Sequence, residues 1–160
     1  MRILGIDPGS RFTGWGLVEQ VRNTPSYLAS GTIRLKPDAP LAERLVVLAR
    51  ELEAVLETHR PETCALEQIF SARNARSALV LGHARGVILQ TVATRSIPVM
   101  EYTATQVKQA VTGTGRAGKS QVQKMVSLLL SRREALQEDE ADALAVALTH
   151  AAMSRIRLLT

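Results

Sequence analysis

Near its N-terminus the chain sets a carboxylate at the end of a strand that is too apolar to lie anywhere but in a core. Ile3, Leu4 and Ile6 form a short run with β-branched members, the pattern of a strand buried on both faces. Asp7 closes the run, and Pro8-Gly9 stops the strand at once. A charge held at the rim of a rigid core element needs a partner, because burying it alone is costly. Asp-Pro-Gly is also good turn chemistry, which by itself accounts for an Asp at this place. The rest of the chain bears on the choice.

Two more strands follow on short connections. Phe12 to Gln20 reads as the second, with Gly14 and Gly16 allowing close backbone approach, and Tyr27 to Leu35 as the third, after an Asn23-Thr24-Pro25 turn. Together they predict an antiparallel meander. Leu41, Leu45, Leu48, Leu52, Val55 and Leu56 then recur at helical spacing, opened by Pro40 and ended by Arg60-Pro61. Thr63 to Glu67 is a fourth strand, again closing on a carboxylate. Ser71 to Asn74 reads as a connection before a helix from about Ala75 to Arg95, and Ile97 to Tyr102 as a fifth strand. Three helices complete the chain, from Thr103 to Val111, Lys119 to Ser131 and Glu138 to about Ser154, with a flexible Gly113–Gly118 loop before the second.

Strands that follow helices return parallel by right-handed crossovers. The expected fold is therefore α/β, a mixed five-stranded sheet of three antiparallel and two crossover strands, flanked by helices. Residues 1–154 make one domain and 155–160 a short C-terminal tail. Twenty basic against fifteen acidic residues give a net charge of +5, a mild push toward a polyanionic partner. Aromatic residues make up only 3%, which excludes base stacking on aromatic platforms as the main binding mode. The lone Cys64 lies in a strand and reads as a small core residue, so no disulfide framework is expected. The first apolar run is too short for a secretory leader, and no stretch is long enough to cross a membrane. A soluble cytoplasmic protein is expected.

If the first and fourth strands are parallel neighbours, Asp7 and Glu67 emerge at the same sheet edge, where ligands collect in open sheets. Asp139 and Asp142 are three apart and share a helix face; Glu138 is four from Asp142, while Glu140 points away. Glu138 and Glu140 are read as complements to the helix dipole. Alanines at 141, 143, 145 and 147 leave little bulk, so this helix can approach the sheet closely. Four carboxylates brought together repel one another unless a cation sits among them. Oxygen ligands suit Mg²⁺ or Mn²⁺ rather than zinc. Paired ions of this kind promote attack of water on a phosphodiester.

Several blocks, in order and over nearly the whole chain, resemble the RuvC family of Holliday-junction resolvases. They are Ile6-Asp7-Pro8-Gly9-Ser10, Leu66-Glu67-Gln68-Ile69-Phe70, Asn74 to Leu79, Gly82-His83-Ala84-Arg85-Gly86, Gln106-Val107-Lys108-Gln109, Lys119-Ser120-Gln121-Val122 and Asp139 to Ala145. The resemblance implies a ribonuclease H-like fold. It also implies a homodimeric, Mg²⁺-dependent endodeoxyribonuclease, with Mn²⁺ as a substitute and two ions per site with DNA bound. Such an enzyme makes paired symmetric nicks across a four-way DNA junction and works with the RuvA and RuvB branch-migration proteins.

By the same resemblance, Asp7, Glu67, Asp139 and Asp142 are the catalytic, metal-holding acids. Lys119 lies near the scissile phosphate, Lys108 is a further basic position, and Phe70 acts on bases at the junction centre. Arg73, Arg76 and Arg116 are expected DNA contacts, although ordinary surface charge also accounts for them. Lys119 alone also reads as the first-turn residue of a solvated helix, and Phe70 as a core residue. His83 and His150 are expected to be structural or surface residues. Gly82 and Gly86 form a small-xxx-small pair, which usually means tight packing within a fold; the family resemblance places a dimer contact there instead. Rival readings are another ribonuclease H-like nuclease, a junction binder without catalysis, and a sugar-kinase or actin-like ATPase, whose phosphate loop Asp7-Pro8-Gly9-Ser10 resembles but whose two lobes 160 residues do not supply.

Overall fold

The computed structural model describes residues 1–22, 24–68 and 75–157, the side chains of 155–157 excepted. The first three strands, β1 (Arg2–Asp7), β2 (Phe12–Val21) and β3 (Thr24–Arg34), pair antiparallel in succession. Helix α1 (Leu41–His59) carries the chain back to β4 (Thr63–Glu67), and α2 (Ala75–Thr94) to β5 (Val99–Tyr102). Both crossover strands are parallel to β1, giving one sheet in the order β3-β2-β1-β4-β5. The mixed sheet expected from the sequence is the one observed.

β1 alternates between two cores. Leu4 and Ile6 face α1 and α2, packing with Leu48, Leu52, Leu56 and Ile88. Ile3 faces the other layer, made by α3 (Ala104–Thr112), α4 (Lys119–Leu129) and α5 (Glu138–Arg157), and joins Val18, Val107, Val126 and Leu144. By the two-residue period of a strand, Gly5 and Asp7 share the face of Ile3. Here the alanine stripe of α5 meets the sheet. A Cβ on Gly5 would collide with the Ala143 carbonyl and crowd Ala147, so glycine on one side and alanine on the other allow helix and strand to touch.

Several boundaries move by one to three residues, with β5 beginning at Val99 instead of Ile97 and α4 ending at Leu129 instead of Ser131. β3 begins at Thr24 instead of Tyr27 and includes Pro25, which an edge strand tolerates because its outward N–H has no ladder partner to lose. The last helix runs past Ser154 to Arg157. The Ser71–Asn74 connection lies outside the described residues. Cys64 is fully buried in β4, and burial pushes its thiol up to about 12. Among the described residues no helix is long and apolar enough to cross a membrane.

Candidate active site

Ile6 of β1 and Leu66 of β4 are parallel register partners, so the next residues, Asp7 and Glu67, leave the sheet side by side. On its other flank Asp7 partners Gly14 of β2. A Cβ at Gly14 would strike the Asp139 backbone, so glycine here lets the first turn of α5 rest on the strand. That contact sets Asp139 beside the strand ends, and Asp142 follows on the same helix face.

The acids act on one another. Burial above all, then the charges of Asp142, Glu67 and Asp139, pushes the Asp7 carboxyl up to about 8, against the pull of Lys119. Burial and Asp142 raise Glu67, while Lys108 and Lys119 lower it. Asp139 is raised by burial, Asp142 and Glu138, and lowered by Lys119 and Arg34.

Lys119 opens α4 and pairs with Asp142 at 2.8 Å and with Glu138. Burial works against its charge, but hydrogen bonds to these two acids outweigh burial and raise its pKa. The position is thus more than a solvated helix end, and Glu138 serves as a partner of Lys119 besides complementing the helix dipole. Glu140 turns away from Asp142, as its spacing requires, and accepts a hydrogen bond from Ser30 Oγ at 3.1 Å. Glu67, Lys108, Lys119 and Asp142 line a cleft of about 230 Å³ whose apolar wall includes Val107, Val122 and Ala145.

Other expected site residues fare differently. Arg76 and Arg116 are exposed, and neither pairs with the four acids. Phe70 and Arg73 lie outside the described residues. His150 is buried and hydrogen-bonded to the Tyr102 hydroxyl at 2.7 Å, whereas His83 is exposed on α2. Tight internal packing does not explain Gly82 and Gly86, because a Cβ at either meets nothing within 4 Å. Nothing in the residue pattern announces Arg34, whose charge reaches Asp139, or Arg85, which donates to the Glu67 carbonyl oxygen at 3.0 Å. Arg34 becomes visible only once β2 and β3 are in register, which pairs it with Phe12 at the acidic edge.

The donor set fits a hard divalent cation in kind. All four groups offer carboxylate oxygen, and a cation among them would offset the burial and repulsion that raise Asp7. Among the described residues, however, no three His, Cys, Asp or Glu side chains are arranged as a ready-made ion cage.

Residues 3–150 match the family described as crossover junction endodeoxyribonuclease RuvC. The chain belongs to the RuvC family. The RuvC of Syntrophotalea carbinolica is 54% identical over 151 residues, covering 94% of each chain. That of Neisseria meningitidis is 50% identical over 151 residues, 94% of this chain and 85% of the relative. Thermus thermophilus RuvC, solved in complex with a Holliday junction substrate, superposes with a TM-score of 0.92 at 36% identity, covering 98% of this chain and 96% of that one. The yeast mitochondrial resolvase Ydc2 shares the fold at 12% identity and a TM-score of 0.66.

Proposed function

We propose that this RuvC-family chain resolves Holliday junctions in recombination and repair, hydrolysing phosphodiesters by paired symmetric nicks. The observation that carries the reading is the gathering of Asp7, Glu67 and the Asp139–Asp142 pair at one sheet edge, the other three acids each raising the pKa of Asp7.

Asp7, Glu67, Asp142 and Asp139 would hold Mg²⁺, two ions per site with DNA bound, with Mn²⁺ as a substitute. Such ions, when bound, activate water for attack and stabilise the leaving oxygen. The chain's own residues do the positioning. Lys108 and Lys119 line the cleft beside the acids and present ammonium groups to a phosphate there. Lys119, held by Asp142 and Glu138, is fixed in place before DNA arrives. Arg76 and Arg116 hold DNA at a distance from the chemistry. Phe70, outside the described residues, takes the role on junction bases that family resemblance implies, and Arg73, also outside them, is read as a phosphate contact.

Homodimerisation puts two such sites on a two-fold axis, matching two like strands of a two-fold junction. The outer face of α2 supports it. Leu79 is 64% exposed there, and a groove of about 550 Å³ runs past Gly82, His83, Gly86 and Val87. RuvA and RuvB as partners and a cytoplasmic location complete the reading.

The test is cleavage of a labelled four-way junction beside a linear duplex of the same sequence, with Mg²⁺ or with chelator, and with Asp7→Asn as control. Paired nicks in the junction alone, dependent on metal and on Asp7, are expected. Metal-independent cutting, or binding without any cutting on a junction with a mobile core, overturns the reading.

A further inference from the structure

On the sheet face that carries α5, register partners fall into rows. Asp7, Gly14 and Thr32 make one row across β1, β2 and β3. Two residues nearer the acidic edge comes the pair Phe12 and Arg34, about 7 Å further on by strand rise. Antiparallel partners point to the same face, so both side chains stand on the α5 side, just beyond the helix's first turn.

The contacts agree. The Arg34 guanidinium lies over the Phe12 ring, 5.7 Å from its centroid, and its charge is felt at Asp139. Yet Arg34 is exposed and makes no salt bridge with a described residue. Phe12 is 44% exposed, a large ring that the core does not use. Two more exposed cations extend the patch. The Arg11 carbonyl accepts from the Leu35 amide at 2.8 Å, so Arg11 and the Arg34–Lys36 segment run side by side. Lys108 and Lys119 flank the acids on one side, and this second basic flank lies on the other.

Resting on the resolvase reading, we propose that Phe12 and Arg34 form a nucleotide subsite for the cut strand. Arg34 donates to the phosphate of a nucleotide next to the scissile one, and Phe12 packs against that nucleotide's base. The pair fixes the strand's register over the acids, a positioning role distinct from the chemistry. A guanidinium already held over a ring loses little freedom on gaining a phosphate.

The test uses the full-length protein in chelator, so that nothing is cut, and junctions in which each phosphate around the cut is replaced in turn by an uncharged methylphosphonate. One replacement is expected to weaken wild-type binding on the order of tenfold. It should leave the affinity of Arg34→Gln unchanged, with Arg34→Lys recovering part of the sensitivity. An abasic nucleotide at the same place should cost the wild type roughly fivefold and Phe12→Leu nothing. If every methylphosphonate costs Arg34→Gln as much as it costs the wild type, the subsite does not exist, although the resolvase reading stands. A wild type that binds no junction overturns both.

Discussion

Arg85 reaches from the middle of α2 to the last residue of β4, donating to the Glu67 carbonyl oxygen at 3.0 Å, and it also pairs with Glu101 of β5 at 2.5 Å. One guanidinium therefore ties the helix whose outer face is open to the strand end that presents an acid. Arg85 touches the backbone of Glu67, so its role is to position. Arg85→Gln should lower single-turnover cleavage roughly ten- to a hundredfold, because small displacements of reacting groups are costly. Junction affinity should stay within about twofold, since no phosphate contact is removed. Partial rescue by Arg85→Lys would separate positioning from a general loss of fold. Equal losses of affinity and rate would assign Arg85 to DNA binding instead.

Replacing an acid tests the site more directly. Asp7→Asn, Glu67→Gln and Asp142→Asn each remove a charge with little change of shape. Each should reduce cleavage about a thousandfold or more, the scale of losing several kcal/mol of transition-state stabilisation. Binding in chelator should persist. Glu140→Gln, which changes a side chain turned toward Ser30, should cut within about threefold of the wild type, since that hydrogen bond lies away from the acids. A variant of Asp7 that cuts at the native rate would remove it from the site.

The raised pKa of Asp7 gives a dependence on pH that needs no substrate. Its usual value is 3.8, and in the folded chain it is about 8. Between those values the folded state holds a proton that the unfolded state has released. The associated stability is therefore complete below about pH 4 and is lost as pH rises toward 8. Asp7→Asn carries no such penalty. In chelator at pH 8 it should melt higher than the wild type by roughly 5 °C, and the two should converge near pH 4. Mg²⁺ should raise the wild type and leave the variant little changed. Identical melting curves at pH 8 would mean that the buried, crowded carboxyl costs the fold nothing.

These groups differ in how plainly the sequence announces them. Asp7 and Glu67 each end an apolar run, so their place at a strand end is local information. Asp139 and Asp142 are set by helical spacing, and the alanines after them predicted the close approach that Gly5 and Gly14 confirm. The union of Lys119 with Asp142 and Glu138 depends on how α4 and α5 pack, which no single segment encodes. Arg34 stayed hidden because it belongs to the acidic edge only through a ladder that runs from Val21 and Thr24 to Phe12 and Arg34. Arg85 acts on a main-chain oxygen, a partner that leaves no mark in the residue types.

The open face of α2 yields the last prediction. A Cβ added at Gly82 or Gly86 meets no described neighbour within 4 Å. Alanine at either position should stabilise the fold by up to about 1 kcal/mol, because glycine is a poor helix former. Gly82→Glu or Gly86→Glu instead puts a charge into the groove beside Leu79 and Val87. If a second copy covers this groove, Gly82→Glu should sediment as a monomer at micromolar concentration with its thermal unfolding midpoint near that of wild-type monomer. It should nick junctions singly instead of in pairs, because one site remains per bound protein. A Gly82→Glu protein that stays dimeric and makes paired nicks would move the interface to another face, whereas a wild type that is itself monomeric would leave symmetric nicking without a structural basis.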